Sequence, residues 1–467
     1  MKRKTLFKAI AICIVAYMLL TWFIPTGYFS NGVYTKKDIV PLGLFDLIRY
    51  PIITFTTPVF LLAGGVIILV GIFYSVLNKT GAYQTFVDRV VKKFKDKKQT
   101  FLVITTITFL VLSSLTGVDL ALFVLVPFFA TVIMLLGYGK ISAMLATIGS
   151  IIAGNLASTY GFNIAGYISY YTNDINDSIW YRVGLFVAIM AIMLLAVIKT
   201  SKAKEKVSAD EIMLYEKTTT KSKKSATPMI IIFVVCFLIA IVGMINWSEV
   251  FNLNIFDEGY KNIANAKLFN YPVGKAVFGE MYGYGAWTNY ELAMMLGVCT
   301  LLISLVYKLK VNDIVACVKK GVKKMMPAVF YLGMANIIFL MLNTTPSGYT
   351  IFPTIAHTIL NVVEGFNVFI YSVAVFIASF FYNDFPYMLG ALYDPTANLY
   401  ADNLSIIGLI SQGIYGIVQF VAPTSVLLVV GLNYFDIPYG TWFKKVFKYL
   451  LLILAALVIA LIIMALI

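Results

Sequence analysis

The sequence predicts an all-α polytopic membrane protein with about 13 spans, arranged as two inverted structural repeats with re-entrant or broken helices. The prediction rests on hydropathy, on the placement of basic residues and on a weak internal repeat. Of the 467 residues, 60% are hydrophobic and 12% are charged. Apolar runs repeatedly reach the roughly 20 residues that a helix needs to cross a bilayer. The runs at 100–112 and 449–467 are apolar on every face, as is typical of buried or lipid-facing helices.

The apolar runs define the spans in chain order. The first begins with basic residues, as a signal peptide does, but it continues into Trp22 and Tyr28 rather than a small-residue cleavage site. We therefore expect it to be retained as a span. The predicted spans are 6–25, 56–78, 100–117, 119–137, 141–167, 180–198, 228–246, 286–307, 326–342, 366–382, 385–400, 404–432 and 449–467.

Basic residues collect on one side of the predicted membrane. The net charge is +14, and most Lys and Arg residues lie in alternate loops, at 1–8, 79–98, 199–224, 308–324 and 444–448. By the positive-inside rule these loops are cytoplasmic. We therefore expect a multi-pass protein of the cytoplasmic membrane with a cytoplasmic N-terminus. Its expected partners are a small-molecule substrate and membrane lipid, with a homodimer left open. Nucleic acid is not needed to explain the charge.

An offset of 265 residues brings similar segments into register. The aligned pairs are Asn78 with Asn343, Thr80 with Thr345, Ser114 with Ser379 and Asp119 with Asp384. Several matches in order at one offset indicate homologous halves. We assign 1–199 to repeat 1, 200–285 to a basic cytoplasmic loop, a linker span and an external loop, and 286–467 to repeat 2. Because one span separates the halves, the second is inverted, and inverted repeats with interrupted helices are typical of secondary transporters.

Four polar clusters interrupt the apolar pattern, at 113–119, 154–159, 382–386 and 422–425. Their Gly, Pro, Asn and Ser residues should stop helices and free backbone groups. In hydrocarbon such groups cost several kcal/mol each unless they are paired or line a cavity. The alternative is that these side chains only join packed helices. The candidate substrate- and ion-binding residues are Ser114, Thr116, Asp119, Asn155, Ser158, Thr159, Asn383, Asp384, Pro423, Thr424 and Ser425, with Asn78, Asn343, Thr345 and Glu291 as secondary candidates.

Asp119 and Asp384 are the sharpest of these candidates. A charged side chain at the bilayer centre costs roughly 2.5 to 3.5 kcal/mol and usually has a function. The alternatives are that either aspartate lies at a headgroup boundary or is neutral and structural. The pairing of the two aspartates across the halves favours a role in transport. Arg182, at the start of the sixth span, is expected to be an interfacial anchor, with a clamp for a substrate carboxylate as the less favoured alternative.

Two stretches resemble a known family. LGYGKISAMLATIGSIIAGNLAST (136–159) and QFVAPTSVLLVVGLNYFDIPYGTWFKKV (419–446) are similar to the C4-dicarboxylate anaerobic carrier group. This group includes the YfcC-like proteins of the ion transporter superfamily, to which arginine/ornithine antiporters also belong. The resemblance implies inverted repeats, each with a re-entrant hairpin whose polar tip helps to bind ion and substrate. It implies a first tip at Asn155, Ser158 and Thr159 and a second at Pro423, Thr424 and Ser425.

The sequence leaves the chemical class of the substrate undecided. Asp119 stands where the family carries an acidic residue, but YNDFPY (382–387) departs from the Pro-Ser-Gly-type turn expected there. Two core carboxylates without an expected core Arg or Lys slightly favour a small amino acid. A C4-dicarboxylate is the alternative, and it becomes equally favoured when the aspartates bind coupling cations. Hydroxyl and amide oxygens suit a hard cation, which predicts a sodium site at Asn155, Ser158, Thr424 and Ser425.

The predicted function is ion-coupled or exchange secondary active transport by alternating access. No cofactor is expected beyond Na⁺ or H⁺ as coupling ion. A passive channel is the alternative from another class, but it predicts a continuous polar stripe rather than isolated breaks. An enzyme is not expected, because the single His and the lack of a paired nucleophile and base offer no catalytic group.

Overall fold

The chain is described by a computed structural model that covers residues 4–30, 32–201, 207–217, 224–245, 247–279, 282–345, 347–396 and 400–466. Part of the basic stretch 199–224 and the first three residues of the N-terminal basic cluster lie outside these ranges. Within the described ranges the regular secondary structure is helical, apart from one short β-hairpin and isolated β-bridges. The prediction of an all-α polytopic membrane protein is confirmed.

The elements follow in chain order. The first 201 residues form α1 (Lys4–Phe23), β1 (Gly27–Ser30), β2 (Val33–Lys36), α2 (Asp46–Thr56), α3 (Pro58–Thr80), α4 (Ala82–Phe94), α5 (Lys98–Thr116), α6 (Val126–Leu135), α7 (Lys140–Met144), α8 (Ser150–Leu156), α9 (Tyr167–Thr172) and α10 (Ile179–Thr200). The rest forms α11 (Thr227–Met244), α12 (Trp247–Phe251), α13 (Ile255–Ala264), α14 (Val273–Phe278), α15 (Asn289–Val306), α16 (Val311–Asn343), α17 (Phe352–Leu360), α18 (Val368–Phe381), α19 (Phe385–Thr396), α20 (Leu404–Gln419), α21 (Val426–Phe435) and α22 (Tyr439–Leu466). Short 3₁₀ turns occupy Leu120–Val124, Ala209–Glu211 and Ala401–Asn403, and single π turns occupy Leu145–Gly149 and Phe162–Gly166.

Eight of the described helices are long and apolar enough to cross a membrane, namely α1, α3, α5, α10, α11, α15, α16 and α22. The remaining predicted spans are shorter helices or are interrupted. The predicted span 404–432 divides into α20 and α21 around residues 420–425, and the predicted span 141–167 is interrupted after α8. The number of spans and the division into two repeats therefore stay predictions. The interruptions fall at or next to the polar clusters: α8 ends within the cluster at 154–159, and α20 ends shortly before the cluster at 422–425.

The longest helix, α16, packs against α3 and α21. α3 and α16 approach at Gly71 and Gly321, where a Cβ on Gly321 would lie 2.4 Å from the amide nitrogen of Ile72. Only glycine permits this backbone contact. Since α3 belongs to the first predicted repeat and α16 to the second, their contact joins the two halves away from the polar breaks.

A connecting segment, residues 207–217, is docked against both predicted repeats. The Asn78 side chain donates to Leu214 O at 2.9 Å and accepts from the Glu216 backbone N–H at 3.1 Å. On the other side the Tyr434 hydroxyl donates to Met213 O at 2.9 Å. The Glu216 carboxylate accepts from the ammonium groups of two α16 residues, Lys320 at 2.5 Å and Lys324 at 2.8 Å. This segment therefore ties α3, α16 and α21 together at one end of the molecule.

The Glu216 ion pairs predict a pH-dependent docking of this segment. Burial alone raises the pKa of Glu216, but hydrogen bonds from the two lysines outweigh burial, and the pKa lies below its ordinary value. Because the folded-state pKa is lowered, the stabilisation is present above the unfolded pKa of about 4.3 and is lost as pH falls through the lowered value. We expect Glu216→Gln to weaken docking by at most about 1 kcal/mol.

Hydrogen exchange of residues 212–217, corrected for intrinsic rates, measures this effect. Protection in the wild type should fall between neutral and acidic pH. Protection in Glu216→Gln should be lower at neutral pH and should depend less on pH, with the Glu211–Lys140 ion pair of the same segment supplying the remaining dependence. Glu258→Gln, at an exposed position of α13, is the matched control and should behave as the wild type. Equal protection in Glu216→Gln and the wild type at neutral pH would contradict a role for the ion pairs.

Candidate functional site

The first polar break is organised by the end of α5. The Ser114 carbonyl accepts backbone N–H groups from Thr159, Tyr160 and Gly161 at 3.0–3.3 Å. The Ser114 hydroxyl donates to Ala157 O at 2.7 Å. One residue of α5 therefore pairs several backbone groups that the end of α8 leaves free. This satisfies polar groups that would otherwise be costly within the membrane.

Two glycines allow the break in α5 to contact this tip. Gly117 ends α5 in a left-handed conformation with φ +71°. A Cβ at Gly117 would lie 2.4 Å from Asn163 Oδ1 and 2.7 Å from the Phe162 amide nitrogen, and one at Gly161 would lie 2.7 Å from Gly117 Cα. The two backbone segments thus touch without a side chain between them, and the chain can turn towards Asp119.

Gly117→Ala should therefore destabilise the protein. The left-handed conformation costs an L-residue roughly 1–2 kcal/mol, and the clash with backbone adds to this, so we expect a loss of more than about 2 kcal/mol. Thermal unfolding in detergent measures the change. Gly184→Ala is the matched control, because a Cβ there meets nothing within 4 Å and alanine favours a helix. A Gly117→Ala protein as stable as the wild type would contradict the close contact.

The second polar break lies between α20 and α21. Its carbonyls receive donors from α22: Trp442 Nε1 donates to Phe420 O at 2.9 Å, and the Tyr439 hydroxyl donates to Val421 O. The Thr424 hydroxyl donates to Phe380 O in α18 at 3.1 Å. Thr159, 265 residues earlier, likewise donates its hydroxyl to Ser114 O of α5, at 3.3 Å. The two breaks are therefore braced in a similar way.

Arg182 is buried, in contrast to the expected interfacial anchor. It is 3% exposed, and its guanidinium donates to Thr159 O and Asp177 O, each at 2.8 Å, and to Ile175 O. It therefore holds the first tip from the side of α10. An interfacial position was expected because Arg182 lies at the start of a span and its long side chain could reach the headgroups. The interrupted helix instead supplies carbonyls that hold the guanidinium inside the protein.

Gln412 of α20 connects the second half to the first tip. Its Nε2 donates to Leu156 O and Ser158 O, each at 3.0 Å. Gln412 is fully buried, so both bonds lie inside the protein. The two breaks are thus held next to each other rather than in separate parts of the fold.

A cavity of about 60 Å³ lies where the breaks meet. One water requires at least about 10–15 Å³, so the cavity can hold several waters or a small ion and part of a solute. The cavity is lined by Asp119, Leu120, Ile152, Asn155, Asn383, Tyr415, Gly416, Gln419, Ser425, Val426 and Leu427. Four sequence-predicted residues are among them: Asp119 and Asn155 from the first half, and Asn383 and Ser425 from the second.

Among the described residues that line this cavity, Asp119 contributes the only carboxylate. It begins the 3₁₀ turn after α5, and its Oδ1 accepts the Leu120 backbone N–H. Among the described residues no Lys, Arg or His lies within 4 Å of this carboxylate. Nearby, Asn383 Nδ2 donates to Asn336 Oδ1 at 2.8 Å, and the Tyr415 hydroxyl donates to Asn383 O at 3.0 Å. The site thus offers a carboxylate without a protein counter-charge.

The other primary candidates lie around the cavity rather than on its wall. Asp384 accepts the Tyr387 backbone N–H at 3.3 Å next to α19. Thr116 bonds its own helix at Leu112 O, and the Ser158 hydroxyl turns towards Gly161 O at 3.4 Å. Ser114, Thr159 and Thr424 brace backbone as described, and Pro423 belongs to the turn between α20 and α21. These residues shape the site by holding its backbone.

The secondary candidates lie at other places. Asn78 holds the 207–217 segment, as described above. Glu291 is 7% exposed and forms a capping box with Thr288, whose N–H donates to its carboxylate at 2.7 Å. Asn343 is exposed and bonds Phe339 O, and Thr345 bonds Tyr349 O. The structure does not bring these four residues to the cavity.

Sequence reasoning missed three residues of α20. Gln412, Tyr415 and Gln419 lie at spacings of three and four residues, which puts them on one face of a helix. Tyr415 and Gln419 line the cavity, and Gln412 contacts the first tip. The signal was available in SQGIYGIVQ (411–419) as polar residues at helical spacing within an apolar run.

Comparison with known proteins decides the family. Residues 4–385 match the family model described as C4-dicarboxylate anaerobic carrier. The chain belongs to this carrier family. The resemblance inferred from the sequence is confirmed, although residues 419–446, which carried part of it, lie beyond the matched region. This multi-pass membrane protein is a transporter of the carrier kind, and the match does not support the preference for an amino acid.

Two solved transporter structures are similar over most of their length. The Alcanivorax borkumensis YdaH transporter is 12% identical, with 98% of this chain and 97% of that chain covered and a TM-score of 0.41. Neisseria gonorrhoeae MtrF, described among antimetabolite efflux pumps, is also 12% identical, with 98% and 93% covered and a TM-score of 0.41. A search of curated proteins gave no match.

Proposed function

We propose that this carrier transports a C4-dicarboxylate by alternating access, as a cation-coupled secondary transporter. The family to which the chain belongs supports the dicarboxylate, which was the alternative in the sequence analysis. The observation that carries the cation coupling is Asp119, whose carboxylate lines the cavity with no Lys, Arg or His of the described part of the chain within 4 Å. A site with one unpaired negative charge requires a positive charge before it can accept an anion.

Electrostatic repulsion between Asp119 and the substrate sets the order of binding. Two unit charges 4 Å apart at an effective dielectric of 20 interact by about 4 kcal/mol. A dicarboxylate next to an ionised, unneutralised Asp119 is repelled by this order of energy. When a cation is bound at Asp119, the charge nearest to the dicarboxylate is positive, and the repulsion becomes an attraction. The cation therefore binds first, and the dicarboxylate follows it into the cavity.

Sodium suits the oxygen groups of the cavity. Its ligands would come from the Asp119 carboxylate, the Asn155 amide oxygen and the Ser425 hydroxyl, all of which line the cavity. Ser158 and Thr424, the other residues of the predicted sodium set, direct their hydroxyls to backbone carbonyls. The proposed sodium site thus keeps two of the four predicted residues and adds Asp119.

Transport into proteoliposomes tests this function. Radiolabelled succinate should enter saturably and accumulate when an inward sodium gradient is imposed. A proton gradient alone should give no accumulation, and arginine in excess should not compete. Accumulation driven by protons alone would overturn sodium coupling. Competition by arginine but not by fumarate would restore the amino acid alternative, and flux that does not saturate would indicate a channel.

Orientation and assembly are part of the proposal. The basic segments favour a cytoplasmic N-terminus and a cytoplasmic 207–217 segment, and the homodimer stays an expectation. Cysteines introduced at Lys95 and at Lys37 test the orientation, because a membrane-impermeant reagent added to intact cells should label only the second. Labelling of the cysteine at Lys95 alone would indicate the opposite orientation. Mass measurement of the protein in detergent tests the dimer.

A further inference from the structure

Gln419 presents a buried amide at the cavity without a protein partner. It is the last residue of α20, lines the cavity and is 9% exposed. Its Nε2 is buried without a hydrogen bond, and no described residue bonds its Oε1. A buried polar group left unpaired lowers the stability of the protein, because it has lost its bonds to water without gaining others. A ligand that enters the cavity and bonds this amide recovers that free energy, so the amide is poised for the ligand.

Gln412 makes amide N–H bonds that Gln419 lacks, although the Oε1 of Gln412 is also buried without a partner. Gln412 lies two turns earlier on the same face of α20, and its Nε2 bonds two backbone carbonyls of the first tip. Gln419 has the same side chain and a similar degree of burial, but it makes no such bond. The difference between these two glutamines is that Gln419 reaches the cavity.

We propose that Gln419 is a substrate-binding residue that donates its amide N–H to a carboxylate of the transported dicarboxylate. This inference rests on the proposed function. Among the described residues that line the cavity there is no Lys, Arg or His, so neutral donors are the groups available to receive the anion. The carboxylate of Asp119 and the hydroxyl of Ser425 supply oxygens for a cation, whereas the amide N–H groups of Gln419 cannot bind one. Because no described residue holds either end of the Gln419 amide, the amide can rotate about its Cγ–Cδ bond and turn its N–H groups, which are buried in this conformation, towards the solute.

The alternative is that Gln419 binds the cation through its Oε1. Two substitutions distinguish carboxylate binding from cation binding. Gln419→Glu keeps an oxygen ligand, removes the N–H donors and adds a negative charge. Gln419→Leu removes both functions at a similar size. For a carboxylate-binding Gln419, the KM for radiolabelled succinate should rise at least about 10-fold in both variants, or about 1.4 kcal/mol. The rise should be larger for Glu.

Sodium binding is measured separately, by the thermal shift that sodium produces in purified protein without succinate. This shift should stay close to that of the wild type in Gln419→Leu. A lost shift in Gln419→Leu together with a retained or larger shift in Gln419→Glu would overturn the proposal and make Gln419 a cation ligand. Gln99→Glu, the same change at an exposed position of α5, is the matched control and should change neither measurement.

The failure of this inference and that of the proposed function give different results. Wild-type succinate uptake with an unchanged KM in both Gln419 variants would overturn the role of Gln419 alone. Absence of saturable succinate uptake by the wild type would overturn the proposed function and the dicarboxylate assignment of Gln419 together. Tryptophan fluorescence and size-exclusion profiles confirm that each variant is folded before the transport assays.

Discussion

Replacing Asp119 with asparagine should abolish sodium-driven accumulation of succinate while the protein stays folded. The asparagine Oδ1 can still accept the Leu120 N–H that Asp119 accepts, so the turn after α5 keeps its hydrogen bond. The negative charge that attracts the cation is lost. We expect kcat/KM for sodium-driven uptake to fall by about 100-fold or more, equivalent to about 2.7 kcal/mol of transition-state stabilisation. Initial rates in proteoliposomes across a range of sodium concentrations measure this.

Asp384→Asn removes the same charge at a position outside the cavity, so it shows whether the position of the lost charge matters. Asparagine is as good an N-terminal helix cap as aspartate, so the bond from Tyr387 can be kept. Asp384 does not line the cavity, and we expect its substitution to reduce uptake less than about 5-fold, well under the 100-fold expected at Asp119. A sodium dependence in Asp119→Asn equal to that of the wild type would overturn its assignment. Equal losses in both variants would instead show that the two aspartates act as a pair.

The sequence was sufficient to locate the helix breaks. Gly117 ends α5, and Pro423 lies in the turn between α20 and α21. The reason is local: a glycine in the left-handed conformation ends a helix, and a proline lacks the N–H donor that a helix interior uses, although α16 continues through Pro327. The family and the all-α membrane class followed from the same local patterns. The number of spans did not, because a helix that stops near the midplane and one that crosses have similar hydropathy.

The direction of each polar side chain could not be predicted from the breaks alone. Asn155 lines the cavity, whereas Thr159, four residues later, bonds the carbonyl of Ser114. Ser, Thr and Asn in a polar cluster are nearly equivalent as ligands. The contact with the neighbouring helix decides which of their side chains hydrogen-bonds to a backbone carbonyl and which faces the cavity. Gln419 lies beyond the predicted cluster at 422–425, so its role required the helix bounds and the cavity together.

Arg182 was placed at the interface because an arginine at the start of a span usually reaches the headgroups. The interrupted helix changes this, since it presents unpaired carbonyls within reach. Hydrogen bonds to a charged group are worth about 1.5–3 kcal/mol each. A guanidinium that pairs Thr159, Ile175 and Asp177 carbonyls therefore offsets its own burial and holds the tip. The role is positioning, because all three bonds go to backbone and none to the cavity.

Substitution of Arg182 should consequently unfold the first tip before it affects binding. We expect Arg182→Met to lower the free energy of unfolding by about 3 kcal/mol, because three carbonyls lose a charged donor. Arg182→Lys should recover part of this loss, since lysine keeps the charge without the planar fork. Thermal unfolding gives the stability, and hydrogen exchange at residues 157–161 reports the tip.

A direct role of Arg182 in substrate binding gives the opposite pattern. Arg182→Lys would then raise the KM for succinate while unfolding temperature and exchange at the tip stayed at wild-type values. For a positioning residue, exchange at 157–161 should rise in Arg182→Lys and further in Arg182→Met, with kcat falling in the same order. The buried arginine would then explain how a broken helix, costly on its own within a bilayer, is held in the conformation that lets Asp119 and Gln419 face one cavity.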